Sequence, residues 1–212
     1  MSDMNFASLL CSRLCHDLVS PVGAINNGLE ILEEEKDASM REAVFDLITK
    51  STQQTANKLQ FFRLAFGAAG GFSAQLDLRE AEKAIRLLFE GSRVTLDWQV
   101  SVESGSKNLI KLLLNISLVI SESLIRGGIL TVKLHKHAGE LVLDVEAKGE
   151  RIIIQEVMKD ALLGEIAEDQ IEPRNAPAHL AACVAREMGT CIIVEHDGEE
   201  SLRAKVTIDF TD

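Results

Sequence analysis

The stretch Cys15-His16-Asp17-Leu18-Val19-Ser20-Pro21 sets an imidazole beside a carboxylate, with a proline five positions after the histidine. Around it Leu14, Leu18, Pro21, Ile25, Leu29 and Leu32 recur at steps of three and four, the apolar stripe of a helix buried in a bundle. His16 follows Leu14 by two residues, roughly 200° around a helix, so it is expected to face solvent. Further along the same face come Ser20, Gly23 and Asn27, small or polar side chains that let another protein come close. Pro21 removes a backbone donor and is expected to kink the helix just past the histidine. A long amphipathic helix that tolerates this cost marks His16 as a reactive group rather than core filling.

Composition narrows the setting. The chain has 212 residues, enough for one large domain or two small ones, and is 46% hydrophobic and 26% charged. A net charge of −11 argues against a general nucleic-acid or anionic-membrane surface. The start, Met1-Ser2-Asp3-Met4-Asn5, has no secretory pattern, and the apolar run from Leu109 to Ile120 is broken by Lys111 and Asn115. Cys11, Cys15, Cys183 and Cys191 fit reduced packing residues, so a cytoplasmic protein is expected. Cys11, Cys15 and His16 lie close on one helix but lack a matching second pair, which leaves a metal site as a weak alternative. The remaining histidines, His135, His137, His179 and His196, are expected at the surface or in hairpins.

Periodicity divides the chain into two parts. Residues 1–70 read as a helical hairpin, with one helix from Met4 to Glu34 and a charged turn through Asp37. Ser39 followed by Glu42 forms a capping-box signature for the second helix. Met40, Val44, Leu47, Ser51, Thr55, Leu59, Phe62 and Phe66 supply its stripe. Two helices of roughly 28 residues would each be about 42 Å long, and a lone hairpin cannot cover both stripes. A two-fold dimer forming a four-helix bundle solves this, with His16 on its outer face. Gly67-Ala68-Ala69-Gly70-Gly71 is the expected boundary.

Residues 71–212 alternate helix and strand. Helices are expected at Leu78–Phe89, Leu109–Ile125, Ile154–Leu163 and Pro177–Met188, with Gly127-Gly128 capping the second. Strands are expected at Val94–Val102, Leu130–His135, Glu140–Glu146, Cys191–Glu195 and Leu202–Phe210. The order implies an α+β protein whose second part is an α/β sandwich, one mixed sheet covered on one face.

The hairpin with its His-Asp-x-x-x-Pro motif resembles the dimerisation and phosphoacceptor region of bacterial sensor histidine kinases, and the second part is similar to their ATP-binding domain. The nucleotide motifs are degenerate. A metal-binding asparagine of those kinases falls at Val119, or at Glu122 in another register, although Asn115 remains. The adenine-reading aspartate falls at Ala147 and the last glycine of its motif at Arg151. The second glycine-rich box falls near Ala176-Pro177-Ala178-His179-Leu180, which contains no glycine.

A kinase skeleton with a phosphorylatable histidine and a ruined nucleotide site resembles the alphaproteobacterial histidine phosphotransferases of the ChpT type. Arg13 to Asp17 and Ser20 to Glu30 carry the match. The resemblance implies a dimeric phosphorelay enzyme without ATP-dependent kinase activity. It would take phosphoryl groups from the receiver domain of a hybrid histidine kinase and pass them to response regulators of the cell cycle and transcription. Nε2 of His16 is then the nucleophile, and Asp17 orients the ring or takes the Nδ1 proton. Arg13 is expected to meet the phosphate or the receiver, while Ser20, Gly23 and Asn27 form the docking face. No cofactor or metal of its own is expected, since the receiver would bring Mg²⁺. An ATP-using kinase and a non-catalytic adaptor that docks regulators remain the alternatives.

Overall fold

The computed structural model describes residues 2–67, 75–198 and 200–209; most of the expected boundary (residues 68–71) and Phe210 lie outside them. Two long antiparallel helices come first, α1 (Asp3–Glu34) and α2 (Ala38–Ala65). Ser2 caps α1 by accepting from the Asn5 amide, and the helix runs unbroken through Pro21. Gly28 faces α2 so closely that a β-carbon there would sit 2.7 Å from Ile48 Cγ1. At the turn, Arg41 donates to the carbonyls of Leu32 and Glu35, which α1 leaves without partners.

The α2 cap differs from the expected Ser39–Glu42 box. The Asp37 side chain accepts from the Met40 amide at 2.9 Å, and the helix begins at Ala38, so Ser39 already lies inside the first turn. Aspartate caps as well as serine, and it comes first in the chain.

A five-stranded sheet and four helices follow. The helices are α3 (Leu78–Leu88), α4 (Lys107–Glu122), α5 (Glu156–Leu163) and α6 (Ala176–Glu187). A three-residue pair, β1 (Gln75–Asp77) and β3 (Ser104–Ser106), stands apart. The main sheet holds β2 (Val94–Val100), β4 (Gly128–His137), β5 (Glu140–Lys148), β6 (Ile192–Asp197) and β7 (Ser201–Asp209), in the order β2-β4-β5-β7-β6. Only β2 and β4 run parallel. Leu141, Leu143, Val145 and Ala147 of β5 and Leu202, Ala204, Val206 and Ile208 of β7 alternate into the core. The opposite face carries Asp144 and Arg203, which pair with each other. The sandwich is therefore covered on one face.

Helix α4 is apolar all round because it is enclosed by the sheet, α2, α3 and α6. It ends at Glu122, and Gly127-Gly128 open β4 instead of capping the helix. Gly127 has φ +88, and a β-carbon there would collide with the Arg93 backbone. The hairpin seats on this body through Phe61, Phe62, Leu64 and Ala65 of α2, all buried in the shared core.

Candidate functional site

Helix α1 holds His16 away from the protein, with 85% of its side chain exposed. Leu14, two residues earlier, packs against the core, so the apolar stripe sets the imidazole's outward direction. Nδ1 of His16 lies 3.4 Å from Asp17 Oδ1, and among the described residues Nε2 has no hydrogen-bond partner. The other Asp17 oxygen, Oδ2, accepts from Arg13 Nε at 2.9 Å.

Arg13 was expected to meet the phosphate or the receiver; here its charge is taken up within the protein. It is buried, and its guanidinium is bound three ways: to Asp17, to Glu122 at the end of α4, and to the main-chain carbonyl of Arg174 at 3.1 Å. Burial works against its charge. The pull of Glu122, then of Asp17, with hydrogen bonds to both, outweighs that cost and raises its pKa above the usual value. Arg13 is thus a clamp that joins α1 to the second half and fixes the carboxylate that faces the imidazole. Its i,i+4 spacing to Asp17 was visible in the chain, whereas Glu122, 109 residues away, was not.

A groove of about 600 Å³ opens beside His16, lined by Arg13, Asp17, Glu122, Glu172 and Arg174 among others. Along α1 the surface continues over Ser20 and Asn27, both exposed, and Gly23, where a β-carbon would meet nothing within 4 Å. The three residues expected to dock a partner therefore share an unobstructed face with His16. Among the described residues no group of three His, Cys, Asp or Glu is placed to hold a metal ion.

The residues of the second half do not fit a nucleotide. Asn115 is fully buried and donates to the carbonyls of Ala65 and Lys111, tying α4 to the end of α2. Val119 is buried, and Glu122 is engaged by Arg13. Ala147 is sealed between Leu130 and Leu202 and offers nothing polar to read a base. Beyond β5, Ile152 bridges to Leu124 and is buried, and the Ile153 amide donates to Ser123. A cavity of about 130 Å³ remains by Val119, Ile153 and Met158, below the ~300–1,000 Å³ usual for small-molecule sites. At the α6 N-terminus Pro177 lacks an amide proton, and Ala176 to Ala178 are packed inside.

One histidine expected at the surface is elsewhere. His179 of α6 is half-buried, edge-on to Phe6 of α1 with ring centres 5.3 Å apart, and its Nε2 lies 3.4 Å from Cys183 Sγ. Burial, then the charge of Arg186, pushes its pKa down. Its Nδ1 has no partner among the described residues.

Comparison with known proteins agrees with this geometry. Residues 78–200 match the family described as histidine phosphotransferase C-terminal domain. The protein phosphotransferase ChpT of Brucella abortus (strain 2308) is 33% identical over 200 residues, 94% of either chain. A solved bacterial phosphotransferase is 32% identical and superposes with a TM-score of 0.85 over 97% of each chain. The histidine kinase domain of the Erythrobacter litoralis EL346 blue-light activated kinase, 11% identical, shares the fold at a TM-score of 0.50 over 90% of this chain and 94% of that one. A kinase-like skeleton without a nucleotide pocket, matched along nearly its whole length by ChpT, belongs to the histidine phosphotransferases of phosphorelays, and this chain is a member of that family.

Proposed function

We propose that His16 is the residue that carries the phosphoryl group, taking it from the aspartate of one receiver domain and giving it to another. The observation that carries this reading is the outward imidazole whose Nδ1 faces a carboxylate that is itself held by Arg13. A neutral ring with its Nδ1 proton toward Asp17 presents the Nε2 lone pair to the incoming phosphorus. Phosphoryl transfer depends mainly on positioning and charge neutralisation, and the Mg²⁺ that helps with the latter belongs to the receiver in this reading.

The donor is the receiver domain of a hybrid histidine kinase and the acceptors are response regulators in the cytoplasm, docking over Ser20, Gly23 and Asn27. Two copies of the chain pair through their hairpins. Leu29, Phe45 and Leu59 are about half exposed in a single copy, and Phe45 and Leu59 lie on one side of α2, an apolar surface that a second hairpin covers in a four-helix bundle. Residues 1–70 then serve dimerisation and phosphotransfer, and residues 71–212 form the degenerate ATP-binding-like domain.

The test is transfer of labelled phosphate from phosphorylated receiver domains to the full chain, wild type against His16→Ala. Acid-labile label on the wild type alone is expected. Equal labelling of both proteins would remove His16 from its role.

A further inference from the structure

The groove beside His16 contains two guanidinium groups, and only one has its charge matched. Arg13 is bound by Asp17 and Glu122. Arg174 is exposed and lines the same groove, and among the described residues its side chain has neither a carboxylate nor a hydrogen-bond partner. Its backbone, in contrast, is held firmly. Arg13 Nη1 donates to its carbonyl at 3.1 Å. Asn175, 4% exposed, accepts from the Glu172 amide at 2.9 Å and donates to the Gln170 carbonyl at 3.0 Å. Pro173 restricts the chain just before it. The loop thus presents an unengaged cationic arm from a fixed base, and the same Arg13 that orients Asp17 sets that base.

Charge gives this arm a task. The groove's acidic groups are Asp17, Glu122 and Glu172, three against two guanidiniums, and without Arg174 only Arg13 would offset them. A phosphoryl group arriving at Nε2 is itself anionic and would meet net repulsion there. Arg174 is the one cation lining the groove, among the described residues, that no carboxylate holds. A planar guanidinium suits phosphoryl oxygens, which it can grip with two parallel N–H donors.

Building on the assignment of His16, we propose that Arg174 is a catalytic residue of the transfer, binding the oxygens of the phosphoryl group as it moves to and from Nε2. In the forward step the aspartyl O–P bond breaks and the carboxylate leaves with the electron pair. The N–P bond forms at Nε2, and the Nδ1 proton stays on the ring facing Asp17. The return step reverses these changes, so no other reactant is needed.

Phosphoramidate, a small phosphodonor without a protein surface, separates a contact with phosphate from a contact with a docked receiver. It yields its phosphoryl group to an imidazole with loss of ammonia. The full chain is incubated with it over a range of concentrations, and phosphohistidine is followed by intact mass and ³¹P NMR in wild type, His16→Ala, Arg174→Ala and Arg174→Lys. Wild type should label at His16. Arg174→Ala should label about tenfold to a hundredfold more slowly at saturating donor, Arg174→Lys should fall between, and all should melt at the wild-type temperature. A wild type that takes no label at His16 overturns the phosphoacceptor reading itself. Label on the wild type with an equal maximal rate in Arg174→Ala overturns only the role of Arg174. So does slower labelling that tracks a lowered melting temperature in both Arg174 variants.

Discussion

Lys58 of α2 donates through Nζ to the main-chain carbonyl of Asp17 at 2.9 Å, the carbonyl that Pro21, four residues on, leaves without an amide. The proline's missing donor is thus replaced from the neighbouring helix, on the residue next to His16. Replacing Lys58 with Met should strand that carbonyl and cost about 1–3 kcal/mol. Pro21→Ala restores a backbone donor, so the double variant should recover much of the loss. A double-mutant cycle in urea measures the coupling, and strictly additive losses would show that the two residues are independent.

Arg13→Met leaves Asp17 and Glu122 close together without a cation between them. Removing one partner of a fully buried ion pair costs about 3–5 kcal/mol. Glu122 keeps 34% of its side chain exposed, so about 2–3 kcal/mol is expected here, read from urea unfolding. Adding Glu122→Gln should return part of it. Transfer to His16 should slow in Arg13→Met even under conditions where the protein is fully folded.

His179 makes stability depend on pH in a defined direction. Its folded pKa lies below the usual 6.5, so the unfolded chain binds the proton more readily. The neutral ring's contribution is complete above pH 6.5 and is lost as pH falls toward the folded value. His179→Phe keeps an aromatic edge against Phe6 and removes the titration. Melting temperatures measured across that range should fall less steeply for this variant than for wild type.

The apolar face of the hairpin gives a test of assembly. Phe45→Glu and Leu59→Glu place charge on residues that are 53% and 45% exposed in one copy. Each should leave the fold of a single chain intact and shift sedimentation from a dimer to a monomer. A monomeric wild type at micromolar concentration would count against the bundle.

Mg²⁺-ATP at millimolar concentration should neither raise the melting temperature nor label His16. With Ala147 sealed and Ile152 and Met158 filling the space, no base or triphosphate fits. A thermal shift saturating with ATP would contradict that packing.

The long elements were legible because their signals repeat. The α1 and α2 stripes run over many turns, and the strict alternation of β7 allows one register against the core. Short features carry no period: β1 and β3, three residues each, went unread, and the strand from Val94 was drawn two residues too long into their approach. Caps compete locally, so Asp37 displaced Ser39. Gly127-Gly128 read equally well as a helix stop or a strand entry until the Arg93 backbone decided it. At the site, His16 and its neighbours on α1 were visible because one helix face orders them. Glu122, Arg174 and Lys58 were not, since each reaches the site from an element far away in the chain.

The packed interior of the second half, where Ile152 and Met158 leave no room for a triphosphate, has a thermodynamic consequence. On the proposed function the chain does not charge itself, so it sets the speed of exchange but never its direction. In the proposed relay, flow through His16 runs from the partner pool with the higher phosphoryl-transfer potential, and the same copy that loads a regulator drains it once the upstream supply stops.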